Sequence, residues 1–267
     1  LTTTEKPVYR SVSQMNQYKR CPYQFKLARI DKVWQRPAAW LAQGTAEHAV
    51  IEGIEKRALS GVETTREEAE AMFEDEYAKD VAKYTEITPN FEYWFRSGPY
   101  KGGEDLERRY HLGKEQIERY FDWREAHPEE RIWVAPDGTP GVELEFEMDL
   151  SGVLVRGFID QVIETDGKLV VRDIKSGNKV PDDDLQLGTY GVALLKLFGV
   201  YAEEGDYWMG KSGKATYPYD LTEWTEERLT EEFHWLDQEV RAGNFEPDPE
   251  PSKCMFCDVN SSCPFAV

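Results

Sequence analysis

Glu143, Asp160, Asp173 and Lys175 stand at spacings that local strand geometry would gather into one cluster. Asp160 lies in the β-rich run Phe158 to Thr165, and Asp173 with Lys175 in the run Lys168 to Lys175. The Asp166-Gly167 pair between them predicts a two-residue hairpin turn, because both positions tolerate positive φ. Paired positions then sum to 333, which sets Asp160 opposite Asp173. The run Val142 to Leu150 alternates apolar and acidic residues and ends at a second turn, Ser151-Gly152. Pairs there sum to 303, and Glu143 falls opposite Asp160. The three carboxylates would form a row across three antiparallel strands, roughly 5 Å apart at Cβ. Lys175, two residues after Asp173, points to the same face. Like charges so placed need a cation or water between them. Carboxylates beside a lysine suit one or two Mg²⁺ or Mn²⁺ ions. Such ions turn water into a nucleophile and neutralise charge on a phosphodiester, with Lys175 orienting the water or stabilising the developing charge. The same spacing also fits a solvated acidic face with a salt-bridging lysine, and one bulge would break the register.

All four cysteines suggest a second centre. Cys254, Cys257 and Cys263 follow the proline-rich stretch Phe245 to Pro251 as C-x2-C-x5-C, and Cys21 stands 233 positions earlier, just before Pro22. Two intervening residues let both thiolates turn towards one metal. A tetra-thiolate site would staple the chain ends. Two disulfides, a zinc site, a [4Fe–4S] cluster and unrelated thiols all remain compatible with this spacing.

The elements that must position these groups follow from periodicity and turn chemistry. Ser11 with Gln14 fits a capping box opening a helix striped by Val12, Met15, Tyr18, Phe25 and Ala28. Further helices are expected from about Leu41 to Leu59, over 64–85, from about Glu104 to Ala126 closing at His127-Pro128, over Asp182 to Phe198, and over Thr222 to Arg241, opened by Thr222. Short strands are expected near Arg131 to Ala135 and Val200 to Met209. Asp182, Asp183 and Asp184 suit a helix N-terminus. Gln186 and Tyr190, four residues apart, share a helix face. His48, on the second helix, reads alone as a surface or satisfied core residue. The Ile87 to Gly103 stretch is rich in aromatics, which can stack on unpaired bases or plug a core. The chain shows no internal repeat and no low-complexity tract.

At 267 residues the chain can bury a sizeable core. No run of about 18 apolar residues exists, and LTTTEKPVYR lacks a signal peptide's apolar centre, so a soluble, cytoplasmic protein without membrane contact is expected. Leu1 in place of methionine suggests a missing or processed N-terminus. The net charge of −19 argues against broad nucleic-acid affinity. Residues 1–36, however, carry Lys6, Arg10, Lys19, Arg20, Lys26, Arg29, Lys32 and Arg36 against Glu5 and Asp31, a local +6 that permits a phosphate-binding surface.

In this order, Cys21-Pro22, Gly44-x3-His48, Glu143, Gly157-x2-Asp160, Asp173-Ile174-Lys175, Gln186-x3-Tyr190 and the terminal cysteines resemble the RecB-type nucleases of the PD-(D/E)XK superfamily. More narrowly, they are similar to the iron–sulfur exonucleases that include the CRISPR-associated fourth family, phage-encoded relatives and AddB-type nuclease domains. The resemblance implies a restriction-endonuclease-like α/β fold, a mixed sheet flanked by helices, with an iron–sulfur cluster joining the N- and C-terminal segments. It implies that His48, Asp160, Asp173 and the Ile174 carbonyl hold Mg²⁺ or Mn²⁺, with Glu143 near and Lys175 catalytic. Gln186 and Tyr190 would line the DNA strand, Lys19 and Arg20 would contact DNA, and Cys21, Cys254, Cys257 and Cys263 would ligate a structural [4Fe–4S] cluster. The expected organisation is a basic N-terminal segment over 1–40, a nuclease core over 41–241 with a helical insertion at about 64–128, and a cluster-binding segment over 242–267. The expected activity is metal-dependent exonuclease action on single-stranded DNA or ends, in recombination, repair or CRISPR-type processing. A helicase, recombination or CRISPR-adaptation protein is the expected partner type, since no phosphate-binding loop is present. The alternative is a non-catalytic iron–sulfur DNA-end-binding adaptor.

Overall fold

Alternating side chains and two tight turns build the centre of the sheet. The computed structural model describes residues 7–267, so Leu1, Glu5 and Lys6 lie outside the described residues. The strands are β1 (Tyr9–Arg10), β2 (Arg131–Ile132), β3 (Val142–Leu150), β4 (Val153–Thr165), β5 (Lys168–Lys175), β6 (Glu204–Met209), β7 (Lys214–Ala215) and β8 (Tyr219–Asp220). Ser151-Gly152 and Asp166-Gly167 all take positive φ, as a type I′ hairpin demands. Both expected registers hold: Leu150 pairs Val153 and Leu144 pairs Ile159, while Thr165 pairs Lys168 and Gln161 pairs Arg172.

The long strand β4 is the hub, pairing with β1, β2, β3 and β5. β6 lies parallel to β5. Parallel neighbours require a crossover, which is helical here. The helices are α1 (Val12–Arg20), α2 (Pro22–Phe25) running into a π-helical turn (Lys26–Ile30), α3 (Ala39–Leu59), α4 (Arg66–Ile87), α5 (Gly102–Ala126), α6 (Leu185–Phe198), α7 (Glu226–Ala242) and α8 (Pro251–Met255). The crossover is α6, ended by Gly199 in the left-handed region. One face of the sheet packs α1, α6 and α7 through Met15, Leu187 and Phe233. The other packs α3, α4 and α5 through Ile51, Phe73, Tyr120 and Trp208. The sheet is therefore mixed and helix-covered on both sides, as expected.

Several expected boundaries move, each for a local reason. Asp182, Asp183 and Asp184 stay outside α6: Asp183 accepts from the Leu185 amide, and Asp182 pairs with Lys179 at 2.5 Å. The last long helix begins at Glu226 rather than Thr222. Asp220 captures the Thr222 amide and hydroxyl, and Thr225 caps the Arg228 amide instead. The capping box at α1 is half formed, because Ser11 accepts from the Gln14 amide while the Gln14 side chain turns to the Tyr9 carbonyl. The strand expected over Arg131 to Ala135 shortens to two residues plus a Val134–Pro140 bridge. The strand expected from Val200 starts at Glu204.

The two ends of the chain meet. Arg20 donates to the Lys253 carbonyl at 2.6 Å, Gln24 to Asp258 at 2.9 Å, and the Arg36 amide to the Asp258 carbonyl at 2.7 Å. In the aromatic insertion, Trp94 and Phe95 are buried and plug the helical layer, whereas Tyr93 and Tyr100 are exposed. The close approach of α5 to α4 requires Gly113, where an added Cβ would lie 2.0 Å from the Phe73 ring. Gly113→Ala is expected to destabilise the fold by about 1–3 kcal/mol despite alanine's better helix propensity. Gly103→Ala, in open space on the same helix, should stabilise it by about 0.5–1 kcal/mol. Urea unfolding of the two variants checks the contrast.

Candidate metal centre and active site

Four elements converge where the middle of β4 meets the C-terminal end of β5. The antiparallel ladder stops at Gln161–Arg172, one position short of Asp160 and Asp173. Beyond it, Asp160 Oδ2 accepts from the Ile174 amide at 2.7 Å. On the other side of β4, Val142–Gln161 and Leu144–Ile159 are paired and the Glu143–Asp160 pair between them is skipped. The reason is backbone geometry: Glu143 takes φ +45°, a region costly for any side chain. The expected straight row of carboxylates is thus bent. Glu143 and Asp160 converge with His48 of α3, their ligand atoms all within 4.8 Å of one another.

His48 is held in register with the strands. Its Nε2 lies 2.9 Å from the Ile174 carbonyl, to which Nε2–H donates, and its Nδ1 lies 3.5 Å from Asp160 and 3.7 Å from Glu143. Burial pushes the imidazole pKa down, but Asp160, Glu143 and Asp173 outweigh it and raise it to about 10. Burial and the Asp173 charge push the Asp160 carboxyl well above its usual range, against the opposing pull of His48. One imidazole and two carboxylates make a donor set that Mg²⁺ or Mn²⁺ could accept, with the Ile174 carbonyl fixing the imidazole from its other nitrogen.

Asp173 is 1% exposed and sits beside this group, turned to a second circuit. Lys175 Nζ lies 2.6 Å from Asp173 Oδ2 and donates to Gln186 Oε1 at 3.1 Å. Gln186 donates to the Tyr190 hydroxyl at 2.8 Å, which donates to Asp173 Oδ1 at 3.2 Å. Gln186 and Tyr190 do share the α6 face expected of them. Tyr190 is only 3% exposed, and its hydroxyl holds Asp173 while Gln186 links it to Lys175.

Of the basic residues expected to contact DNA, Lys19 is paired with Glu232 at 2.8 Å. Arg10 and Lys26 are likewise paired, with Asp237 and Asp31. Arg20 lies at the meeting of the chain ends, between the thiols and an open cleft. All four cysteines are free and half-buried. They line one cavity with Gln24, Pro247 and Val259. Among the described residues no three of their sulfurs come within 4.8 Å of one another, so a tightly gathered ligand set is not displayed.

Two site groups escaped the sequence reading. Glu47 is fully buried beside His48, and burial raises its carboxyl to about 8 against the opposing pull of His48. Its only sequence signal is adjacency to His48. Arg172 is 2% exposed and bonds Glu130 through two nitrogens, at 2.6 and 2.8 Å, and Asp206 through two more contacts. It anchors β5 one residue before Asp173.

A pH dependence follows. The folded-state pKa of His48 is above its unfolded value, so its contribution to stability is complete below about pH 6.5 and is lost as pH rises towards 10. The raised Asp160 carboxyl acts in the same direction, destabilising as it ionises. A divalent ion replaces the proton and binds more tightly as pH rises. In EDTA, Tm should fall between about pH 6.5 and 9, and the increment in Tm given by Mn²⁺ should grow over the same interval. A Mn²⁺ increment unchanged from about pH 6 to 9 contradicts this assignment.

Comparison with known proteins agrees with this geometry. The chain is 58% identical over 260 residues to the Gene 69 protein of Mycobacterium phage D29, covering 96% of each chain. It is 51% identical over 279 residues to the Gene 69 protein of Mycobacterium phage L5, again covering 96% of each. Its fold is similar to that of a "Putative exonuclease" from Eubacterium rectale, with a TM-score of 0.50 and 13% identity over 95% of this chain and 87% of that one. None of these likenesses bears on a CRISPR association or on an iron–sulfur cluster. Residues 9–264 match the PD-(D/E)XK nuclease superfamily, and the chain belongs to that superfamily.

Proposed function

We propose that this protein is a divalent-metal-dependent deoxyribonuclease, acting as an exonuclease on single-stranded DNA or DNA ends. The observation that carries the reading is the convergence of His48, Glu143 and Asp160 beside the Ile174 carbonyl, with the Asp173–Lys175 pair adjoining it. A divalent ion held by these groups would supply an activated water and neutralise charge on the scissile phosphate. The chain's own part is positional. Asp160 and Glu143 present carboxylate oxygens, and His48 is fixed by its hydrogen bond to Ile174. Lys175, aimed by Asp173 and Gln186, donates to the phosphoryl oxygen on which negative charge builds. Similarity to two phage proteins supports a role in phage DNA processing.

The four thiols are proposed as ligands of a [4Fe–4S] cluster that closes the chain ends. The cavity that all four cysteines line supports this. Anaerobically purified protein should be brown with broad visible absorbance. A colourless preparation carrying stoichiometric zinc would refute the cluster without touching the nuclease site.

The activity is tested on end-labelled single-stranded DNA with Mn²⁺, Mg²⁺ or EDTA. Metal-dependent degradation is expected, reduced at least about 100-fold in Asp173→Ala and in Lys175→Ala, with the label reporting polarity. Wild-type protein that binds DNA ends but degrades none under any of these conditions would replace the enzyme with an adaptor.

A further inference from the structure

A cleft beside the site is lined by five basic residues and no carboxylate, on a chain holding 51 acidic and 32 basic residues. Arg20, Arg96, Arg108, Arg109 and Lys179 face it together with Trp40, Tyr100 and Phe256. The nearby acids are accounted for. Asp105 is 1% exposed and lies beneath Arg108 and Arg109, and Asp182 pairs with Lys179 on the solvent side. Arg96 is exposed and forms no ion pair among the described residues. Cations on an otherwise acidic surface mark this cleft as the place where a polyanion is tolerated.

Two segments that line the cleft also carry active-site residues. Trp40 and His48 both lie on α3, eight residues or about 12 Å apart. Lys179 follows Lys175 by four residues. The walls are tied to the same elements: Arg109 donates to Gln43, Gln43 to Gln116, and Gln116 to the carbonyl of Ser176, the residue after Lys175. Aromatic rings stand at the opening. Tyr100 is 37% exposed with the Arg108 guanidinium 4.7 Å from its ring centroid, and Phe256 is 50% exposed. Paired bases hide their faces inside the duplex, so cations interleaved with exposed rings suit an unpaired strand.

We propose that this cleft is the track along which a single DNA strand reaches the metal centre, phosphates on Arg96, Arg108 and Lys179 and bases on Tyr100 and Phe256. The proposal rests on the nuclease reading and assigns a role to the aromatic insertion and to the C-terminal segment. Two features of binding follow. Each phosphate contact contributes about 0.7 to the salt slope on single strands. Each stacked base contributes affinity that does not depend on salt.

The test is anisotropy of fluorescein-labelled oligo(dT) against full-length protein in EDTA over a salt series, with degradation of the same DNA in Mn²⁺ measured in parallel. The double variant Arg96→Gln/Lys179→Gln should lower affinity about tenfold or more and reduce the salt slope by about 1.4, while Arg96→Lys/Lys179→Arg retains both. Tyr100→Ala and Phe256→Ala should each weaken binding about fivefold or more without changing the slope. They should leave the affinity for blunt duplex unaltered. The cleft is excluded if wild type degrades DNA and the Gln double variant binds with wild-type affinity and slope, and the nuclease reading then stands. Equal weakening on duplex and single strand by the aromatic variants overturns the single-strand track. Wild-type protein that neither binds nor degrades DNA overturns both readings. The four positions are distributed over three segments, and each variant's Tm shows whether a loss reflects the cleft or the fold.

Discussion

Carboxylates crowded at one end of a sheet repel one another, and the architecture around them is organised to hold them there. Two unit charges about 4 Å apart cost about 4 kcal/mol at an effective dielectric of about 20. The paired residues on either side bring Asp160, Asp173 and Glu143 near one another, although neither Asp160–Asp173 nor Glu143–Asp160 is itself a ladder pair. Each is then met by something fixed: the Ile174 amide for Asp160, Lys175 and Tyr190 for Asp173, and the imidazole of His48 between Asp160 and Glu143. Arg172, clamped to Glu130 and Asp206, secures the strand that carries Asp173, Ile174 and Lys175. A cation held at His48, as proposed, would complete the compensation.

Much of that arrangement was legible in the sequence because two-residue turns fix register. Asp166-Gly167 and Ser151-Gly152 define both hairpins, and alternation along Val142–Leu150 says which side faces the core. What local patterns could not supply was the skipped pair at Glu143. A glutamate with positive φ carries no glycine to announce it. Nor could they supply the Arg172 network, whose partners lie 42 and 34 residues away. Gln186 and Tyr190 illustrate a middle case. Their shared face follows from a four-residue spacing, but whether that face meets solvent or Asp173 is decided by how α6 packs on the sheet. The shifted start of α7 is similar: Thr222 and Thr225 are both good caps, and the nearby Asp220 decides between them.

The acidic balance of the chain and its belonging to a nuclease superfamily are reconciled by geography rather than by total charge. The basic N-terminal segment spends Arg10, Lys19 and Lys26 on internal ion pairs, and Arg20 alone of the expected pair reaches the cleft. The remaining cations of that surface come from the insertion, α5 and the loop after β5. Phe256, between Cys254 and Cys257, adds the C-terminal segment to the same surface. Whatever the thiols bind therefore also sets where one wall of the cleft stands.

The central claim is that His48, Glu143 and Asp160 form the metal centre. The most direct measurement is anomalous scattering from crystals soaked in Mn²⁺. The account predicts a peak among His48, Glu143 and Asp160, lost in His48→Ala crystals. A peak elsewhere, or none in wild-type crystals at saturating Mn²⁺, would contradict it.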